Sequence, residues 1–194
     1  MSDFNIRYWD QLYQNGQTGW DIGYVSTPLK EYFDQLTDKN IKILIPGAGN
    51  AYEAEYLHKS GFTNVYVLDF SAESIRKFQK RYPEFPEAHL ISEDFFTHHG
   101  QYDLIIEQTF FSSIARKLRP AYAQKMHELL KPGGKLTGLL FTHEFNFQAP
   151  PFGGTIQEYR DLFQPYFAFK AFDMTYNSIK PRAGRELFFI LQKK

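Results

Sequence analysis

The stretch from Ile41 to Asp69 limits most strongly what this chain can fold into. Ile41, Ile43, Leu44 and Ile45 form an apolar run too short for a buried helix and closed by Pro46-Gly47, the pattern of a central parallel strand. Gly47 and Gly49 follow at once, residues that take positive φ and let backbone approach a ligand closely. Ala51 to Lys59 reads as a helix whose first N–H groups face whatever rests on that turn, and Gly61 ends it. Val65, Val67 and Leu68 make the next strand. Asp69 stands at its C-terminal end, where a carboxylate can accept both hydroxyls of a ribose. The unit is a cradle for a nucleoside cofactor.

Two cofactor classes share such a cradle. A dinucleotide site wants G-x-G-x-x-G, with a pyrophosphate on the helix N-terminus and a third Gly for close helix packing. Here Tyr52 holds the third-Gly position, which weakens an NAD-dependent oxidoreductase. A methionine-bearing nucleoside needs no pyrophosphate cradle. It needs acceptors for a ribose and an adenine amine, which Asp69 and Asp94 are placed to supply, with Phe70 and Phe95 beside them to flank the base.

The rest of the chain alternates helix and strand. Asn5 to Asn15 is helical by the spacing of Ile6, Trp9, Leu12 and Tyr13, and a second helix starts at Thr27-Pro28. After Asp69, Ser71 caps a helix to about Tyr82. Ala88 to Ile91 is a short strand, and Tyr102 to Glu107 is a strand ending in another carboxylate. Pro120 to Leu130 is a helix stopped by Lys131-Pro132-Gly133-Gly134, and Lys135 to Thr142 is a strand. Thr155 caps a helix reaching Phe163. Phe167 to Tyr176 and Glu186 to Gln192 leave no room for a crossover helix, so they pair antiparallel. The expectation is a seven-stranded, mostly parallel, Rossmann-like α/β sheet with helices on both faces and an antiparallel C-terminal pair. Residues 1–194 form one domain, of which 1–26 are a lid.

Composition excludes several function classes. The 22 Lys plus Arg balance 22 Asp plus Glu, so no basic field holds a nucleic-acid backbone. The start MSDFNIRYWD lacks signal-peptide character and no apolar run is long enough to span a membrane, so a soluble cytoplasmic protein is expected. Cysteine is absent, which removes disulfides, thiolate metal sites and a Cys nucleophile. His98-His99 reads as a solvated pair in a polar loop with no third metal ligand, and His143-Glu144 follows a strand end on the ligand side. Thirteen Tyr and twenty Phe exceed what a small core needs, leaving rings to line an apolar pocket.

These motifs come in a specific order: Trp9-Asp10 with Tyr13 and Thr18-Gly19-Trp20-Asp21, then Pro46-Gly47-Ala48-Gly49, Asp69-Phe70-Ser71 and Thr109-Phe110-Phe111. Leu118-Arg119-Pro120, Leu130-Lys131-Pro132-Gly133-Gly134 and Pro150-Pro151-Phe152 complete it. The order resembles the class I S-adenosylmethionine-dependent methyltransferases of the thiopurine S-methyltransferase superfamily, including the halide, thiocyanate and thiol branch. Arg182, Gly184, Arg185, Glu186 and Leu187 resemble that branch's closing loop and strand.

The resemblance implies that Trp9, Tyr13 and Trp20 cover the cofactor, Gly47 and Gly49 contact its methionine part, Asp69 holds the ribose, and Asp94 and Phe95 read the adenine. Phe70 and the strand-end Glu107 join the expected cofactor set, while Trp9, Gln108, Phe110 and Phe152 are candidates for the acceptor pocket. Gln108 stands where the family commonly has Arg or Tyr, and Ser112-Ser113 is the small pair after it. Ala51 replaces a frequent Gly, a change expected to be tolerated because Ala is a good helix former. The implied reaction is in-line methyl transfer to a soft nucleophile, a thiolate or thiocyanate or halide, which needs no metal and no dedicated base. The alternative is a non-catalytic nucleoside-binding module on the same fold.

Overall fold

The computed structural model describes residues 4–146 and 148–194. Its seven strands are β1 (Ile43–Pro46), β2 (Val65–Asp69), β3 (Leu90–Ser92), β4 (Tyr102–Gln108), β5 (Leu130–Phe141), β6 (Phe167–Met174) and β7 (Glu186–Lys193). They form one sheet in the order β3-β2-β1-β4-β5-β7-β6. Strands β1 to β5 pair parallel, and β7 lies antiparallel between β5 and β6. The order reverses between β1 and β4, which opens a crevice beyond their C-terminal ends.

The helices are α1 (Ile6–Gln14), α2 (Thr27–Asp34), α3 (Tyr52–Lys59), α4 (Ala72–Arg81), α5 (Phe110–Ser113), α6 (Arg119–Leu129) and α7 (Ile156–Phe163). Strand alternation divides the core between two faces. Ile43, Ile45, Leu104 and Ile106 pack with Leu29, Phe33, Leu57 and Phe78 of α2 to α4. Leu44 and Ile105 pack with Tyr122, Met126 and Phe163 of α6 and α7. The buried aliphatic and aromatic residues on each sheet face contribute about 1.5–3 kcal/mol apiece before chain entropy is subtracted, so this sandwich dominates the folding free energy.

Four local readings need correction. First, β1 runs from Ile43 to Pro46 rather than from Ile41. Second, α6 stops at Leu129 and the chain is already paired with β4 at Leu130, opposite Tyr102. The turn Lys131-Pro132-Gly133-Gly134 is looped out within β5, with Gly133 at φ 73, and pairing resumes at Lys135 opposite Leu104. The Lys131 ammonium anchors this loop on Asp103 at 2.8 and 2.9 Å. Third, Ala51 is not a helical residue. It sits just before α3 at φ 52 and ψ 40, a left-handed conformation in which a Cβ is disfavoured by about 1–2 kcal/mol, so helix propensity is the wrong scale for it. Fourth, His98 is buried, not solvated, with its Nε2 2.8 Å from the Tyr102 hydroxyl and its Nδ1 against Glu93.

Candidate active site

The turn after β1 brings three separate segments together. Gly47 and Gly49 both adopt positive φ, 57° and 54°. A Cβ on Gly47 would lie 2.1 Å from Cδ2 of Phe110, and one on Gly49 would lie 2.7 Å from the Tyr13 hydroxyl. The missing side chains are what let Phe110 and Tyr13 close down on the turn. The Gly49 N–H donates to Oδ2 of Asp69 at 3.0 Å and the Ser71 N–H to Oδ1 at 2.9 Å. Each carboxylate oxygen keeps acceptor capacity beyond that one bond. Burial raises Asp69 above the usual carboxylate range, and the two N–H groups pull it back down.

The N-terminal segment lies over this turn. Asn5 Oδ1 accepts the N–H groups of Arg7 and Tyr8 and so starts α1. Trp20 packs edge-on against Trp9 at 5.4 Å and Tyr13 at 5.7 Å between ring centroids. The segment is tied down by its polar groups. Ser71 Oγ donates to Asp10 Oδ1 at 2.5 Å, Lys77 Nζ to the Tyr13 carbonyl at 2.5 Å, and Arg182 Nη2 to the Trp20 carbonyl at 2.6 Å. Arg182 is itself held by Glu186, so it links the N-terminal segment to the loop before β7 and to that strand.

Beneath this cover lies a cavity of about 910 Å³, at the upper end of the roughly 300–1,000 Å³ found for small-molecule sites. Of the candidate site residues, Trp9, Tyr13, Trp20, Gly47, Asp69, Phe70, Asp94, Phe95 and Phe110 all line it. Phe95 is buried with its ring edge-on to Phe110 at 5.1 Å, and Asp94 is exposed at the rim, accepting the Phe96 N–H at 2.9 Å.

Four expected site residues do not reach this cavity. Gly49 is shielded by the Tyr13 hydroxyl and borders a separate pocket of about 50 Å³ instead. Gln108 lies in that same small pocket with Asp21 and Tyr52, its Oε1 buried and without a partner. Phe152 is set back behind Phe4, ring centroids 5.7 Å apart, while its neighbours Pro150 and Pro151 line the wall. Glu107 is wholly buried beneath α5, where Phe111 and Tyr122 occupy its carboxylate.

The far wall contains His143, which its place after a strand end puts on the ligand side, and further residues for which the sequence implies no site role. Arg182 and Arg185 come from the loop before β7, and Phe141, His143 and Phe145 from the end of β5. Among the described residues no side-chain hydrogen bond or ion pair engages the Arg185 guanidinium, and His143 Nδ1 is buried without a partner. The signal for Arg185 was its place one residue before a C-terminal strand that pairs with β5. That pairing sets Glu186 opposite Phe141 and so carries Arg185 to the cavity. Among the described residues no group of three His, Asp or Glu is placed to hold a metal ion, and no helix is long and apolar enough to cross a membrane.

Comparison with known proteins decides the family. The model of the family described as Thiopurine S-methyltransferase (TPMT) matches residues 4–188. The chain belongs to this family. It is a methyltransferase, and S-adenosylmethionine is the family's methyl donor. It is 31% identical over 193 residues to probable thiol methyltransferase 2 of Arabidopsis thaliana, covering 96% of this chain and 84% of that protein. It is 31% identical over 185 residues to thiocyanate methyltransferase 1 of Brassica oleracea, covering 92% and 81%. In fold it is similar to the 1,6-didemethyltoxoflavin-N1-methyltransferase of Burkholderia thailandensis, crystallised with 1,6-didemethyltoxoflavin and S-adenosylhomocysteine. The TM-score is 0.78 at 17% identity, over 97% of this chain and 87% of that one.

Proposed function

We propose that this enzyme transfers the methyl group of S-adenosylmethionine to a small soft nucleophile, a thiolate or a thiocyanate or halide ion. The observation that carries this reading is the charge arrangement of the cavity: both lining carboxylates, Asp69 and Asp94, lie on the β2–β3 side, and the lining cations Arg182 and Arg185 lie on the β7 side. The site fits the donor. The Asp69 carboxylate is available for ribose hydroxyls, Asp94 and Phe95 for the adenine, and the Gly47 turn for close approach by the methionine part. Trp9, Tyr13 and Trp20 cover these groups and exclude water. Bound there, S-adenosylmethionine supplies an electrophilic sulfonium methyl group, open to in-line attack.

The acceptor side favours an anion that arrives already deprotonated. No carboxylate lines it among the described residues, and its hydroxyls are committed as donors. Thr109, Ser112 and Ser113 donate to the carbonyls of Gln108, Thr109 and Phe110 at 2.7, 2.7 and 2.6 Å. Neither a carboxylate nor these three hydroxyls can serve as a base there, and a soft anion needs none; His143 is the one imidazole among the lining residues. The Arg185 charge attracts the anion, while Phe110, Phe141, Phe145, Pro150 and Pro151 desolvate it, so positioning and water exclusion supply the catalysis.

Calorimetric titration with S-adenosylhomocysteine tests the donor half. Each hydrogen bond to a charged acceptor is worth about 1.5–3 kcal/mol, so Asp69→Ala is expected to weaken binding by tenfold or more while the protein still unfolds cooperatively. Absence of binding to the intact protein would overturn the reading.

A further inference from the structure

Glu107 has no part in the scheme above, yet it is the last inward-facing residue of β4 and is fully buried beside the cavity wall. Among the described residues no cation accompanies it. Its Oε1 accepts the Phe111 N–H at 2.9 Å, and its Oε2 accepts the hydroxyl of Tyr122, itself fully buried on α6, at 2.5 Å. On β5, Gly138 lies directly opposite, where a Cβ would come 2.4 Å from that of Glu107, so the strand leaves room for this side chain and adds no charge.

What these bonds hold is a strained turn. Thr109 is β-branched and adopts φ 62, a left-handed conformation that costs about 1–3 kcal/mol and persists only where its surroundings over-determine it. Helix α5 follows with four residues and no side-chain cap. The Glu107 carboxylate, reaching forward from the strand, takes the place of that cap. Between the strained residue and the anchored Phe111 N–H sits Phe110, wedged against Gly47 and edge-on to Phe95.

We propose that Glu107 is a positioning residue: its ionised carboxylate, acting through the Phe111 N–H and the Tyr122 hydroxyl, fixes Phe110 against Gly47 and thereby shapes the donor half of the cavity. This rests on the assignment of the Gly47 and Asp69 side to the methyl donor. Ionised, Glu107 accepts both bonds with the added strength of its charge; protonated, Oε1 still accepts the Phe111 N–H as a weaker neutral bond and Oε2 donates to the Tyr122 hydroxyl, which can accept as well as donate. Burial pushes Glu107 up to about 7, and the donors facing it, Tyr122 from α6 and the N–H groups of Phe110 and Phe111 from α5, act in the opposite direction. The Phe111 bond is thus charge-assisted above neutral pH and weaker below it.

The test pairs two readouts between about pH 5.5 and 8.5: S-adenosylhomocysteine affinity by calorimetry, and the Phe111 amide resonance of the ¹⁵N-labelled protein. In the intact protein the amide is expected to titrate near neutrality, with affinity falling about tenfold, the worth of one charge-assisted bond, below the same midpoint. Glu107→Gln is expected to bind at the low-pH strength throughout, with no titration. Tyr122→Phe removes a bond that favours the ionised form and is expected to move the midpoint upward. An amide that does not titrate, or a Glu107→Gln protein that binds as tightly as the parent with the same pH profile, overturns the proposal. If Glu107→Gln fails to fold, the parent and Tyr122→Phe titrations decide it alone. Failure of the intact protein to bind at any pH overturns the donor reading, and a titrating Phe111 amide still supports the clamp.

Discussion

Gly47→Ala is the substitution that probes the cavity wall most sharply. Gly47 sits at φ 57, and an added Cβ would lie 2.1 Å from Cδ2, 2.4 Å from Cγ and 2.8 Å from Cβ of Phe110. Two costs follow: about 1–2 kcal/mol for an L-residue in the left-handed region, and about 1–3 kcal/mol for overpacking against the ring. Gly61→Ala isolates the first, because Gly61 also has positive φ, at 90°, with no atom within 4 Å of the added Cβ. Urea unfolding of both variants is expected to show Gly47→Ala less stable than Gly61→Ala by about 1–3 kcal/mol. If Phe110 swings aside instead, that difference moves from stability to S-adenosylhomocysteine affinity, as a loss of roughly 5- to 150-fold. A Gly47→Ala/Phe110→Ala double variant should recover most of the difference, since the two residues share one contact. If Gly47→Ala matches Gly61→Ala in both assays, Phe110 is not packed on the turn and the account of the wall is wrong.

Three further outcomes are expected. Arg185→Gln should raise KM for thiocyanate several-fold, with a smaller effect at high salt because Arg185 is exposed and screened, and leave S-adenosylhomocysteine affinity unchanged; loss of donor affinity instead would place Arg185 in the donor half. Trp9→Ala and Trp20→Ala should each weaken donor binding and turnover, and unchanged values in both would remove the lid role. Glu107 also predicts a pH-dependent stability. It holds its proton in the folded state up to about 7 and releases it near its ordinary value in the unfolded chain, so the unfolding free energy should fall by about 3 kcal/mol as pH rises through that window and level off above it. The slope should shrink in Glu107→Gln, and an equal slope would refute the burial argument.

Much of the part of the cavity proposed for the donor is legible in sequence as a turn and a carboxylate, because it lies within one βαβ unit. The apolar run before Gly47 and the acid ending the next strand are local patterns, and sheet geometry places them together. Glu107 and Gln108 show where the reading stopped short. Two-residue alternation sets Glu107 on the face of Ile105, under α6, and Gln108 on the face of Leu104 and Ile106, toward α3. The strand-end position of Glu107 suggests a ligand-facing carboxylate, but its parity directs it beneath the wall. Ala51 and Thr109 were opaque for a different reason: their left-handed backbones are imposed by tertiary contacts that propensity does not register. The acceptor wall depends on β7 returning antiparallel to β5, a pairing between residues some fifty positions apart, and so Arg185 carried no local signal of its role.

The most direct test of the central claim is S-adenosylhomocysteine formation when the protein is mixed with S-adenosylmethionine and, one at a time, thiols, thiocyanate, iodide and oxyanions. Turnover is expected with at least one sulfur or halide acceptor and none with the oxyanions, since the apolar, Arg185-bearing wall favours soft, weakly hydrated anions. Tight binding of S-adenosylhomocysteine with no turnover on any sulfur or halide acceptor would contradict the account.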